Sequence, residues 1–154
     1  MDRLIPDIIK SFTKNKKISL RNPNSVRPWQ HVLEPLGGYL ALAQNIHTKK
    51  IKKINQNWNF GPNISSCKSV RYLTNYLSKY LNLKIRTEKE KKNIFKPETS
   101  ILRLSNFKSK KFLNWYPKWS INKSLDKIVS WNKDIKSKNP FDVCVKQIKQ
   151  YLEG

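Results

Sequence analysis

Arg27 stands between Val26 and Pro28-Trp29, in a stretch that also carries Pro23 and Pro35. Proline fixes φ and removes a backbone donor. The run Arg21-Asn22-Pro23-Asn24-Ser25-Val26-Arg27-Pro28-Trp29-Gln30-His31-Val32-Leu33-Glu34-Pro35-Leu36 therefore reads as a shaped, non-helical lead-in to an amphipathic segment. A guanidinium held there has the planar fork that matches phosphate oxygens two at a time. Arg3 and Arg21 fall in the same amino-terminal part of the chain, at a helix start and at a strand–loop junction. Brought together, the three would hold a diphosphate, each charge-assisted bond contributing about 1.5–3 kcal/mol. The same residues also fit a plain loop with a surface arginine and Trp29 packed in a core, and residue types alone leave both readings open.

Nothing else in the chain assembles into a catalytic set. His31 and His47 lie in separate settings, and there is no HExxH, GxSxG or pair of clustered carboxylates. Cys67 and Cys144 are far apart with no CxxC, which argues against a metal site or a disulfide framework and fits a reducing compartment. The chain has four glycines, too few and too scattered for a Gly-rich phosphate loop. Tyr80 and Lys84 have the Tyr-xxx-Lys spacing of short-chain dehydrogenases, but Tyr80 falls on a helical apolar stripe and Lys84 beyond its end. No catalytic residue is assigned.

The elements that must position Arg27 come from a chain of 154 residues, enough for one domain with a modest core. Hydrophobic residues make up 38% and aromatics 11%, too much for a disordered chain. The net charge is +22, which raises nucleic acid as a partner. Against that, only Arg3, Arg21, Arg27, Arg71, Arg86 and Arg103 are arginines, and the lysines are dispersed with no recognition motif. A small basic nucleic-acid-binding protein is the alternative reading. The aromatics it would need exposed among cations sit instead beside prolines or on apolar stripes (Trp29, Trp58, Trp115, Trp119 and Trp131), which reads as core. No apolar run reaches membrane-spanning length, and the amino terminus lacks signal-peptide character, so the cytoplasm is expected.

Periodicity predicts helices over residues 3–13, from Leu33 through Ile46, from Val70 to Leu81, from Lys108 to Trp115, from Ile121 to Ile135, and from Pro140 on. The last has Asn139 as N-cap, Pro140 at N1, Asp142 at N3 and the stripe Phe141, Val145, Ile148 and Leu152. Ser69 is a candidate N-cap. Short strands are expected at Ile18–Arg21, Trp58–Gly61, Leu83–Thr87 and Ile101–Leu104. Gly37-Gly38 inside a helix suggests close approach of another backbone. Alternating short strands and helices give an α/β or α+β class.

Several stretches resemble one family. They are Asp2-Arg3-Leu4-Ile5-Pro6-Asp7-Ile8-Ile9, the Arg21 to Leu40 run with Arg27-Pro28-Trp29-Gln30-His31-Val32, and Trp58-Asn59-Phe60-Gly61-Pro62. Leu113-Asn114-Trp115-Tyr116-Pro117-Lys118-Trp119 is similar to the family's Leu-Gly-Trp-x-Pro-x-Trp, with Asn114 in place of glycine. Ser124 to Trp131 resembles the helix that follows. The family is the CDP-glucose 4,6-dehydratases, extended short-chain dehydrogenase/reductases of nucleotide-sugar metabolism.

The resemblance implies that residues 1–154 are the C-terminal, sugar-nucleotide-binding part, without the NAD-binding Rossmann core and without the Tyr-xxx-Lys pair. Carried over by motif, Arg27 would hold the diphosphate of CDP-glucose, and Arg3, Leu4 and Ile5 would line the nucleotide sugar, partly through backbone. Ser19 and Arg21 would face cytosine and ribose, and Asn59 would sit in a turn closing the domain junction. Arg103 and Glu98 fall near a further substrate loop, where the pattern departs from the family. No cofactor is expected on this chain; NAD belongs to the intact enzyme. The implied partners are CDP-glucose, a separately encoded N-terminal half and, as often in the family, a second copy, with no membrane. Alone, the chain is expected to be inactive and poorly soluble, since half an α/β domain leaves apolar stripes and strand edges uncovered.

Overall fold

Leu4, Ile8 and Phe12 repeat at helical spacing and wind Leu4–Thr13 into α1, with Ile8 fully buried. The structure is a computed structural model that describes residues 4–14, 18–20, 22–51, 56–81, 85–87 and 99–154. After α1 come β1 (Ile18–Leu20), β2 (Val26–Pro28) and α2 (Leu33–His47). Then follow β3 (Cys67–Ser69), α3 (Val70–Leu81), β4 (Ile85–Thr87), α4 (Phe107–Leu113), α5 (Ile121–Asp134) and α6 (Pro140–Glu153). β1 pairs in parallel with β4, Ser19 opposite Arg86. β2 pairs antiparallel with β3, Arg27 opposite Lys68. The result is a mostly helical α/β arrangement with small two-stranded sheets.

The main core joins α1, β1, α3 and α5 through Ile8, Leu20, Leu73, Leu77, Leu125 and Val129. Burial of each such aliphatic side chain stabilises the fold by about 1.5–3 kcal/mol. A second cluster, Phe60, Leu113 and Trp115, sits where α2 meets α4. Helix ends follow local chemistry. Ser69 Oγ accepts the N–H of Tyr72 (3.2 Å), Ser120 Oγ that of Lys123 (3.2 Å), and Asn139 Oδ1 that of Phe141 (2.9 Å). α4 ends on Asn114, whose φ of 51° is left-handed, a conformation that Asn reaches more easily than most residues.

Five expectations are corrected, four of them here. First, Trp58–Gly61 forms no strand. The carbonyls of Asn59, Phe60 and Gly61 accept from Ser109 Oγ, Gln30 Nε2 and Asn106 Nδ2, so side chains occupy positions a ladder would use. Second, Gly38 makes room for a ring, not a backbone: a Cβ there would lie 2.2 Å from Phe60 Cδ1, and one at Gly37 would lie 2.9 Å from the Tyr151 hydroxyl. Third, the apolar stripes of α2 and α6 do not all face inward. Leu36, Leu40, Phe141, Ile148 and Leu152 are exposed, while Glu34, Gly38, Gln147 and Tyr151 are buried. Fourth, Tyr80 is exposed and tilts against Tyr76 at 5.3 Å, not into the core.

The strand expected at 101–104 reduces to a single parallel bridge between Ile101 and Val26. The ribbon β2–β3 carries no strand signal in the sequence, because proline and polar residues mask its alternation. Trp115 and Trp119 are buried as expected, and Trp29, Trp58 and Trp131 are half-buried. No described helix is long and apolar enough to cross a membrane.

Candidate functional site

β2 is held on both sides. Beyond the β3 ladder, Val26 N donates to Ser100 O (2.8 Å) and Leu102 N donates to Val26 O (3.0 Å). Two more backbone bonds, Val70 N to Ser25 O (3.0 Å) and Arg71 N to Pro23 O (2.8 Å), tie the approach to β2 onto the start of α3. Pro23 and Pro28 thus shape a lead-in that the neighbouring strands then fix.

Arg27 is half-buried on this ribbon. Its Nη1 donates to Val26 O (2.8 Å) and Thr99 O (2.9 Å), which fixes the plane of the guanidinium. The register sets Lys68 directly across from it, and directly opposed residues project to the same face. Trp29 Nε1 donates to Lys68 O (2.8 Å), pinning the backbone beneath that pair. A planar cation held by two carbonyls beside a second cation is an arrangement that suits a polyanionic ligand.

The other expected site residues fall on different elements. Leu4 and Ile5 are on α1 and pack against the main core. Ser19 lies at the centre of β1, against which α1 packs. Asn59 is exposed on the extended segment 56–63, and its carbonyl is held by Ser109 Oγ at 2.9 Å. Arg103 is exposed. Arg3, Arg21 and Glu98 lie outside the described residues, as does the whole Lys89 to Lys92 run. The described residues therefore put Leu4, Ile5 and Ser19 on one packed unit and Arg27 on the second sheet. α3, which continues directly from β3 and packs on α1 and β4, links the two.

Immediately after β2 lies a polar centre that the sequence did not announce. Glu34 is completely buried. Its Oε1 accepts from Trp119 N (2.7 Å), and its Oε2 accepts from Lys118 N (3.1 Å) and the Tyr151 hydroxyl (3.0 Å). Lys118 Nζ in turn donates to Tyr151 O (3.0 Å) and Leu152 O (3.1 Å), carbonyls in the last turn of α6. Burial, then the Glu34 charge, push the Tyr151 phenol up. His31 is buried edge-on to Trp119, ring centroids 5.0 Å apart, and burial first, then Lys127, lower its pKa to about 4. The only sequence signal for this hub was an acid inside an apolar run in a chain with ten acids. No described group of His, Cys, Asp and Glu could hold a metal ion.

No family model matches the chain. A CDP-glucose 4,6-dehydratase from Salmonella typhimurium is 36% identical to it over 154 residues, covering 99% of this chain and 42% of that enzyme. The chain resembles a CDP-glucose 4,6-dehydratase. It spans less than half the length of that dehydratase. Solved structures share the fold at lower identity. A dTDP-glucose 4,6-dehydratase from Bacillus anthracis, in complex with NAD, matches with a TM-score of 0.67 and 20% identity, over 86% of this chain and 39% of the other. A UDP-glucuronic acid 4-epimerase from Bacillus cereus, in complex with UDP-glucuronic acid and NAD, matches with a TM-score of 0.67 and 16% identity, over 87% and 40%. RMD from Pseudomonas aeruginosa, complexed with NADPH, gives a TM-score of 0.61 at 18% identity, over 82% and 39%.

Proposed function

We propose that the chain is the C-terminal, sugar-nucleotide-binding portion of a CDP-glucose 4,6-dehydratase, and that it binds CDP-glucose through a diphosphate clamp centred on Arg27. The observation that carries this reading is the 36% identity to a dehydratase of that specificity along essentially the whole chain. The fixed guanidinium of Arg27 on β2 supports it. In this reading Arg3 and Arg21 complete the clamp, Leu4, Ile5 and Ser19 line the nucleotide sugar, and Asn59 closes the junction with the rest of the enzyme. NAD and the residues that oxidise, dehydrate and reduce the sugar belong to further polypeptide. This chain alone binds but does not turn over, and the assembled enzyme yields CDP-4-dehydro-6-deoxyglucose.

Isothermal titration of the chain with CDP-glucose, CDP and CMP tests the reading. CDP-glucose and CDP are expected to bind and CMP to bind much more weakly. Arg27→Ala should weaken CDP-glucose by roughly ten- to a hundredfold, the worth of one charge-assisted bond to a phosphate. Equal affinity for CMP and CDP, or an unaffected Arg27→Ala chain, refutes the clamp. Tight RNA binding with a steep salt dependence, and no preference for CDP, would replace it with the nucleic-acid reading.

A further inference from the structure

α2 is built the wrong way round for a helix at a water interface. Its inward face presents Glu34 and Gly38, and its outward face presents Val32, Leu36, Tyr39 and Leu40, which are 63%, 46%, 58% and 71% exposed. These four positions lie within one helical face by their spacing. α2 is also the one described α-helix with no lysine or arginine, in a chain where 32 of 154 residues are basic. Every other described α-helix carries at least one lysine.

At the N-terminal end of α2, Val32 also borders an apolar groove of about 460 Å³, walled by Ile9, Ile128, Trp131 and Ile148. An apolar surface of this kind on a soluble protein marks a place where another surface belongs. Within α2 no lysine or arginine interrupts the exposed apolar face, which argues against an anionic membrane or nucleic acid, both of which recruit Lys and Arg to the contact. The occupant is indicated by length. The dehydratase relative aligns with this chain over only 42% of itself, so more than half of that enzyme lies outside the aligned region and supplies surface enough to cover this face.

We infer that the outward face of α2, together with the groove at its N-terminal end, is the docking surface for the polypeptide that completes the dehydratase. This rests on the reading of the chain as one portion of such an enzyme, and it names the partner of that portion. The partner surface is apolar, and the contact is set by packing, not by charge.

The test is co-expression of the full 154-residue chain with the part of the Salmonella dehydratase that has no counterpart in it, followed by co-purification and sedimentation without nucleotide sugar. A one-to-one complex is expected. Leu40→Glu should weaken it at least tenfold, whereas Ile64→Glu, equally exposed but off α2, should leave it unchanged. In the complex Tyr39 should be protected from hydroxyl-radical oxidation, a readout on the unmutated chain that stands even if Leu40→Glu does not fold. Failure to form the complex, an unweakened Leu40→Glu complex or an unprotected Tyr39 overturns the inference. So does a homodimer of this chain that Leu40→Glu dissociates, which would assign the face to a second copy. Because no nucleotide is present, loss of CDP-glucose binding and loss of docking are read separately.

Discussion

Removing the Glu34 carboxylate should cost more stability than any other single truncation at the polar centre. In Glu34→Ala the N–H groups of Lys118 and Trp119 and the hydroxyl of Tyr151 lose their acceptor at once. Each buried unsatisfied donor costs about 1–3 kcal/mol. Part of this is offset because a charged carboxylate no longer has to be kept out of water. A net loss of about 4 kcal/mol follows, a large share of the 5–15 kcal/mol typical of a domain. At about 3 °C per kcal/mol for a chain of this size, the melting temperature should fall by roughly 12 °C.

Tyr151→Phe removes only one of the three bonds and should cost about 1–2 kcal/mol. In the double variant the two losses should not add, because the phenol has no acceptor left to lose; a coupling of about 1 kcal/mol is expected. Urea titration followed by near-ultraviolet circular dichroism measures all three. A Glu34→Ala chain within 1 kcal/mol of the parent, or strictly additive losses, would refute the claim that this carboxylate ties α2, the 118–119 backbone and α6 together.

Other consequences can be checked on the same chain. The unfolded chain takes up a proton on His31 near pH 6.5 and the folded chain only near pH 4, so acid favours unfolding across that window. Stability attributable to His31 is fully present above about pH 6.5 and falls by about 3 kcal/mol on acidification to pH 4, a slope that His31→Gln should flatten in a pH series of urea midpoints. Gly38→Ala should destabilise by about 2 kcal/mol, since the ring of Phe60 cannot retreat far enough to offset the gain in helix propensity. Asn139→Ala, which removes the N-cap of α6, should cost about 1 kcal/mol in the same melts. Leu40→Glu should raise the solubility of the isolated chain, measured as the concentration at which it precipitates.

The sequence located helices better than it oriented them. α1, α3 and α5 each carry one apolar stripe, and that stripe is the buried one, Tyr80 near the end of α3 excepted, because nothing else in those segments competes for the core. α2 and α6 each carry two candidate faces. Period counting picks the more apolar face, yet the core took the face that could serve Glu34: Gly38 to admit Phe60, and Tyr151 to donate its hydroxyl. A pattern of residue types cannot show an acceptor shared among three distant segments. The same limit explains the unpaired segment at 58–61, whose β-like composition was overruled by side chains of residues 30, 106 and 109. Arg27 was legible as a shaped cation, because proline constrains backbone locally. The carbonyl of Thr99 that fixes it lies 72 residues away and was not.

Asn114 departs by one letter from the glycine expected in the Leu-Gly-Trp-x-Pro-x-Trp stretch it resembles. With φ at 51°, it delivers the same dihedral instruction in a different alphabet. The signature at this bend is a handedness, and any search for kindred chains that scores the residue alone will discard sequences which turn the corner correctly.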